Sequence, residues 1–306
     1  MSSASQATPG SVTASSPTVL ATAAAPRRRS GVWQRFRRHR VAMVGMVILV
    51  ILTISAVGAP VVARNDPYHT TLSLIRKPPS SAHWLGGDSS GRDVFARLIY
   101  AGRVSLSVGL VAVSIYTLIG LLLGALAGYY GGWVDSVIMR FADIILAFPS
   151  LIIIITVVSI LGPSIYNVML VIGLLGWPPM ARILRSLFLT LRERDFIIAS
   201  RTVGAPNSRI ILKHLLPNAL APVIVAATFG IAQAILLEAG LSFLGLGVQP
   251  PTASWGNMLT DAQSLTVLES LPWLWIPPGV MIALAVLSIN FIGDGLRDAL
   301  DPYLLR

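Results

Sequence analysis

The histidines, lysines and carboxylates of this 306-residue chain are the side chains that could bind a metal or a phosphate, or catalyse a reaction. The chain has no cysteine, and no two of its four histidines have the spacing of metal ligands. Neither lysine, Lys77 or Lys213, stands in the Gly-x-x-x-x-Gly-Lys-Ser/Thr pattern of a phosphate-binding loop. We therefore expect no catalytic residue, no metal site and no ATP site in this chain. The histidines are His39, His69, His83 and His214.

Ionisable side chains inside an apolar stretch are candidates for function, because a charge is costly in hydrocarbon. Two carboxylates, Asp143 and Glu238, meet this criterion, and Gln233 and Asn290 are their polar companions. Glu238 has two interpretations. It lines a pathway near the external mouth, or it pairs with backbone or solvent where a helix ends. We expect Asp143 at the cytoplasmic interface, near Arg140.

One long polar connection, residues 190–216, is the best candidate for binding a partner. Its first part has small and apolar residues at helical spacing, and Gly204 is placed to end that helix. A second helical piece, capped by Asn207 or Ser208, is predicted to end at Pro217. A helix–Gly–helix unit of this kind fits a groove on a soluble partner, and a connector lying on the membrane surface is the alternative. The two faces consist of Phe196, Ala199, Ser200 and Val203, and of Ile211, Leu212 and Leu215.

The composition indicates that these residues are carried by membrane-spanning helices. The chain is 54% hydrophobic and 12% charged, whereas a soluble domain is about a quarter charged. Its apolar residues stand in blocks of about 20, which match the roughly 30 Å hydrocarbon thickness of a bilayer. The sequence therefore predicts an all-α membrane protein with six spans. They cover residues 41–62, 104–128, 142–161, 166–189, 218–240 and 276–293.

Basic residues indicate the orientation of these spans. The chain has 23 Lys and Arg residues and 13 Asp and Glu residues. The basic residues cluster before the first span and in the 190–216 connection, whereas the segment 241–275 has none. The positive-inside rule therefore places both termini in the cytoplasm. Because the charges stand beside apolar blocks, we expect no nucleic-acid binding. Residues 1–40 are expected to form a disordered, basic cytoplasmic tail.

Two segments are expected on the external side. Residues 64–103 form a loop whose last part, 90–101, either is a short surface helix capped by Asp88 or Ser89, or extends the second span. The segment 241–275 is rich in Gly, Pro and Trp, which either anchor it at the interface or contact an external partner. The candidates for that contact are Gln249, Pro250, Pro251 and Trp255.

The 190–217 connection resembles the EAA loop of binding-protein-dependent ABC importer permeases. The pattern of that loop is Glu-Ala-Ala, three residues, Gly, nine residues and Ile-x-Leu-Pro. Ala199 and Ser200 fall at the two alanines, Gly204 at the glycine, and Leu216 and Pro217 at the closing pair. A loop that docks by shape and apolar contact tolerates changes at other positions. The departures are Ile198 in place of the glutamate and His214 in place of the isoleucine.

Further segments are similar to the dipeptide, oligopeptide and nickel subfamily of these permeases, in the family's order after residue 30. They are HWLG (83–86), GRDVF (91–95), GYYGG (128–132), LSFLGLG (241–247) and GDGLRD (293–298). The resemblance implies the type I ABC importer permease fold, with six transmembrane helices and both termini cytoplasmic. It also implies a first helix over 41–63, a permease core over 104–296 and a cytoplasmic tail from 297.

The resemblance implies a complex in a prokaryotic cytoplasmic membrane. It would contain a second homologous permease subunit, two ATPase subunits that bind ATP and Mg, and an external substrate-binding protein, and it would import short peptides. The connection would pass the closure of the ATPase subunits to the spans. The residues implied in this coupling are Ala199, Ser200, Gly204, Ile211, His214, Leu216 and Pro217.

Three other functions are compatible with a helical membrane chain. The same architecture could import nickel, heme or another small solute, because the binding protein usually sets specificity. A secondary transporter or channel would show internal repeats and broken helices with buried charges, and the sequence has no convincing repeat. A purely structural scaffold would not require the helix–Gly–helix connection.

Overall fold

The computed structural model describes residues 32–300, and within this range the chain forms helices, turns and loops without a β-strand. The α-helices are α1 (Val32–Phe36), α2 (Arg40–Val57), α3 (Ala59–Val62), α4 (Val94–Tyr130), α5 (Gly132–Leu146), α6 (Ser150–Leu161), α7 (Ile165–Leu175), α8 (Trp177–Leu191), α9 (Asp195–Thr202), α10 (Asn207–Arg209), α11 (Leu216–Phe243), α12 (Trp255–Met258), α13 (Leu265–Ser270) and α14 (Pro272–Leu300). A π-helical segment, Ile210–Leu215, joins α10 to α11. Short 3₁₀ turns lie at Leu72–Leu74 and Leu259–Gln263.

Five helical stretches in residues 32–300 are long and apolar enough to cross a membrane, and a bent pair makes a sixth. The stretches are Arg40–Val57, Val94–Tyr130, Ile165–Leu191, Asn207–Phe243 and Pro272–Leu300. The bent pair is α5 with α6, whose axes differ by 83°. It replaces the continuous span predicted for 142–161. Pro149 stands at the break. The helix ends before it because a proline disfavours helical backbone in the preceding residue.

Helix α4 is a single 37-residue helix, about 55 Å long at 1.5 Å per residue. Its N-cap is Asp93, whose carboxylate accepts a hydrogen bond from the Ala96 backbone N–H at 2.7 Å. The separate surface helix predicted for 90–101, with a cap at Asp88 or Ser89, is therefore wrong. The alternative, an extension of the second span, is what the structure contains, since nothing after residue 93 breaks the helix.

The described parts of the two predicted tails are helical. Residues 32–36 of the predicted disordered tail form α1, and Phe36 is buried against Ala42, Ile292 and Ala299. Helix α14 continues to Leu300, so residues 297–300 of the predicted C-terminal tail belong to a helix. The remaining terminal segments, 1–31 and 301–306, lie outside the described residues.

Pro217 does not end the second helical piece of the connection, as the sequence suggested. It lies in the first turn of α11, and helix continues from Asn207 through the π-helical segment to Phe243. The α-helical hydrogen-bond pattern starts again after the π-helical segment, so Pro217 stands in a first turn, where the missing N–H of a proline is tolerated. In the same way, Pro178 and Pro179 open α8 instead of breaking the fourth span.

Three glycines on α4, at every fourth position, bring its backbone against α8. They are Gly120, Gly124 and Gly128. A Cβ atom on Gly124 would lie 2.6 Å from the Ala181 carbonyl oxygen and 3.0 Å from Leu184 Cβ. Because these distances are too short for real contacts, only glycine permits this approach, as small residues do in membrane helix pairs.

Gly124→Leu should therefore separate α4 from α8, and we expect it to destabilise the protein by about 1–3 kcal/mol, as overpacking does. The thermal unfolding midpoint of the detergent-solubilised protein measures this. Gly279→Leu is the matched control, because a Cβ there meets nothing within 4 Å. Equal midpoints for the two variants would contradict the packing role of Gly124.

Candidate functional site

The 190–217 connection is anchored to the helix bundle by three buried residues. Ile197 on α9 and Ile210 and Leu215 in the π-helical segment are fully buried. They belong to one apolar cluster with Leu184 and Phe188 of α8. The connection is therefore part of the packed bundle, so a movement imposed on it reaches α8 directly.

Polar contacts tie the same connection to the end of α4. The Tyr129 hydroxyl donates a hydrogen bond to Asn207 Oδ1 at 2.7 Å, and the Arg201 guanidinium lies 5.4 Å from the centre of the Tyr129 ring. The predicted capping role of Asn207 or Ser208 is wrong, because Pro206 is the N-cap and no side chain caps this turn. Asn207 binds Tyr129 instead, which the sequence did not indicate.

Gly204 ends α9 as predicted. Its φ of +79° lies in the left-handed region that side chains with a Cβ rarely adopt, and its N–H donates to the Arg201 carbonyl at 2.9 Å. The next amide, that of Ala205, donates to the Ser200 carbonyl at 3.1 Å. The chain thereby turns tightly from α9 into α10.

A groove of about 490 Å³ opens at this turn, and we call it the loop groove. The structure places four of the seven predicted coupling residues in it, together with Val203 of the predicted docking face and with Arg209, which the sequence did not single out. The other three lie outside it: Ile211 packs on the apolar cluster, and Leu216 and Pro217 begin α11. The lining consists of Ala199, Ser200, Val203, Gly204, Ala205, Pro206, Arg209 and His214.

The face of α9 predicted to meet a partner points away from the bundle. Val203 is 88% exposed and Phe196 is 44% exposed, whereas Ile197 is fully buried. The surface here has two exposed apolar side chains beside an open groove, with Arg201 and Arg209 nearby. A partner groove that contains both apolar and acidic residues would fit it.

A buried carboxyl group, Glu238, organises the opposite end of the bundle. It is fully buried and accepts hydrogen bonds from Ser242 Oγ at 2.7 Å and from Ser105 Oγ at 3.3 Å. The Ser242 hydroxyl in turn accepts a hydrogen bond from the Val248 backbone N–H, and the Ser105 hydroxyl accepts one from the Trp255 backbone N–H. In the isolated chain Glu238 therefore meets neither a cavity nor solvent, but serines that hold the loop after α11.

Trp255 is a packing residue of that loop. Its side chain is 2% exposed, and its indole Nε1–H donates to the Leu98 carbonyl at 3.1 Å. The predicted contact of Trp255 with an external partner is therefore wrong, because the ring lies in the apolar core. The other three candidates, Gln249, Pro250 and Pro251, are exposed.

Gln233 and Asn290 do not meet Glu238. Gln233 is exposed on α11 and lines a cavity of about 370 Å³ with Tyr116 and Ile154. Asn290 is half-buried on α14 and does not line that cavity. The three polar residues predicted to form one pathway therefore lie in separate places in the isolated chain.

Two ion pairs join α5 to α8. Asp143 pairs with Arg182, and Asp135 pairs with Arg185 through two hydrogen bonds. The partner of Asp143 is thus a residue of another helix. Both pairs fix the first arm of the bent helix against the α4–α8 unit.

The family model described as binding-protein-dependent transport system inner membrane component matches residues 120–306. This match includes the whole connection with its loop groove. The chain belongs to this permease family. A second model, the N-terminal TM domain of oligopeptide transport permease C, matches residues 29–79.

Relatives of this permease are similar over most of their length. The dipeptide transport system permease protein of Alkalihalophilus pseudofirmus is 44% identical over 270 residues, which are 88% of each chain. The oligopeptide permease protein of Bacillus subtilis is 41% identical over 89% of this chain and 88% of the relative. The glutathione permease protein of Pectobacterium atrosepticum is 40% identical over 89% of this chain and 90% of the relative.

A solved structure has the same fold. A chain of the methionine ABC transporter MetNI, in an inward-facing form, superposes on this permease with a TM-score of 0.54 at 20% identity. The match covers 67% of the permease and 97% of the other chain. The predicted ABC importer permease fold is therefore confirmed.

Glu238→Leu should loosen the loop after α11, because it leaves two buried hydroxyl groups without an acceptor, at about 1–3 kcal/mol for each unsatisfied group. Hydrogen exchange of the amides of residues 244–258 should speed up by about tenfold or more. Glu269→Leu is the control, because Glu269 is exposed on α13. Unchanged exchange in Glu238→Leu would show that the carboxyl group does not hold the loop.

Proposed function

We propose that this permease is the transmembrane subunit of an ABC importer that moves short peptides into a prokaryotic cytoplasm. The loop groove carries this proposal: an anchored helix–Gly–helix unit presents exposed apolar residues to a partner. The family match supports the importer class. The names of the relatives support peptides, because dipeptide, oligopeptide and glutathione transport all concern peptides.

The importer would contain further subunits. Two ATPase subunits would bind ATP and Mg, a second homologous permease would complete the pathway, and an external binding protein would deliver the peptide. The positive-inside distribution supports a cytoplasmic position for the connection and both termini. Exposed Gln249, Pro250 and Pro251 on the other end are the surface we assign to the binding protein.

Coupling would run along packed helices. The ATPase subunit would hold the exposed face of α9 and move it when ATP binding closes the ATPase pair. Because Ile197 and Tyr129 fasten the connection to α8 and α4, that movement would reorient both helices together. Helix α4 continues without a break for about 36 Å from Tyr129 to Ser105, which bonds the Glu238 network under the external loop.

Reconstitution tests the proposal. The permease, expressed with the neighbouring subunits of its transport system and purified, should retain an ATPase subunit. In proteoliposomes with the binding protein it should accumulate a labelled dipeptide only when ATP is supplied. Uptake of nickel and of heme, measured in the same vesicles, tests the two alternative transported solutes. Loss of the ATPase on purification would refute the importer class, and uptake of only nickel or heme would refute the peptide assignment.

Gly204→Pro should uncouple ATP hydrolysis from uptake, because proline requires φ near −65° where the turn has +79°. Gly204→Ala should reduce uptake less, since it carries only the left-handed strain of about 1–2 kcal/mol. Dipeptide uptake per ATP hydrolysed is the measurement.

Gly162→Pro is the matched control for this turn. Gly162 has φ +88°, and a Cβ there also meets nothing within 4 Å, but it lies between α6 and α7 rather than in the connection. The same loss of coupling in both variants would contradict a specific role of Gly204.

A further inference from the structure

A long apolar groove lies on the side of the bundle between α2 and α4, with α11 and α14 as its floor. Its volume is about 750 Å³, and we call it the side groove. The hydroxyl groups that line it, on Thr53, Ser107 and Thr228, all donate to carbonyl oxygens of their own helices. The side groove therefore presents hydrocarbon, without a free polar group along its walls other than Arg103 at one end.

The side groove is about as long as half of a bilayer's hydrocarbon thickness. Its residues on α2 extend from Met46 to Val57, which is about 16 Å of helix, and half of the bilayer hydrocarbon is about 15 Å. On α4 it covers only Gly102 to Leu110. A spanning helix of a partner would fill it along only half of its own length. An acyl chain of one leaflet matches the depth.

Arg103 stands at the end of the side groove that is next to the first loop. Its guanidinium donates to the carbonyl oxygens of Ala56, at 2.6 Å, and Val57, where α2 ends. It also lies 5.2 Å from the Tyr100 ring centre. Within residues 32–300 no carboxylate pairs with it, and the side chain is exposed. Its positive charge is therefore available to a bound anion beside the end of the first span.

We propose that the side groove binds one anionic phospholipid, with an acyl chain between α2 and α4 and the phosphate at Arg103. The charge of Arg103 favours an anionic head group over a zwitterionic one. The apolar walls suit an acyl chain, and the bound lipid would fill the gap between the first span and the rest of the bundle. This site is independent of which solute is transported.

Native mass spectrometry of the purified importer complex tests the proposal. Nanodiscs that contain equal amounts of phosphatidylglycerol and phosphatidylcholine supply the two probes. The wild-type complex should retain phosphatidylglycerol in preference. Arg103→Gln should lower that preference by about fivefold, the effect expected for one arginine near an anionic surface. Arg64→Gln is the control and should leave the preference unchanged, because Arg64 is an exposed arginine of the first loop outside the side groove.

A second pair of variants tests the acyl chain. Thr53→Trp places a large ring in the side groove and should remove the retained lipid of both kinds. Ile54→Trp changes the neighbouring residue, which is 65% exposed and outside the side groove, and should not. Equal retention of the two lipids by wild type, lipid retention that survives Thr53→Trp, or a cross-link from Thr53→Cys to a partner subunit would each overturn the proposal.

Discussion

The close approach of α4 to α8 is the constraint on which the rest of this permease depends. The glycines at 120, 124 and 128 let the two backbones touch, and any larger residue would overlap α8. Hydrocarbon chains of lipid compete equally well for apolar surface, so a membrane helix pair gains stability from such tight packing rather than from burial out of water. Helix α5 is fastened to this pair by ion pairs, and the connection 190–217 is fastened to it by an apolar cluster.

The two ends of the bundle hold different kinds of segment. At one end the protein must expose apolar residues for a partner and still hold the segment that carries them. Burial of Ile197 beside exposed Val203 does both on one short helix. At the other end a long loop must be held without losing its backbone hydrogen bonds. Glu238 does this through two serines, because a buried carboxylate can accept several hydrogen bonds at once.

Much of the fold could be predicted because hydropathy in a membrane is a strong signal. Apolar blocks of about 20 residues identified the spans, and the glycine at position 204 identified the end of α9. The sequence predicted a continuous span across Pro149, where the helix breaks, and a helix end at Pro217, where the helix continues. Both errors have the same reason. The effect of a proline depends on whether it stands at the start of a helix or in its interior, and hydropathy does not report that.

The candidate site was predictable only in part. Ala199, Ser200, Gly204 and His214 could be chosen because they fall at positions of the family's loop pattern, and the structure places them around one groove. The bond from Tyr129 to Asn207 joins residues 78 positions apart, and a pattern within a short window contains no such pair. The burial of Trp255 was missed because an aromatic residue in a Gly- and Pro-rich segment has the same composition signal whether it faces a partner or the core.

The sequence by itself determined that this chain is a multi-spanning membrane protein with a helix–Gly–helix connection, because chain composition and local spacing are sufficient for both. It also determined the family, since the family's motifs are contiguous in the chain. Only the tertiary structure decided which side of α9 is free, that Glu238 is bonded to serines that hold a loop, and that a groove with Arg103 at one end lies between α2 and α4. These features arise from contacts between helices that are distant in sequence, and they exist only once the bundle has packed.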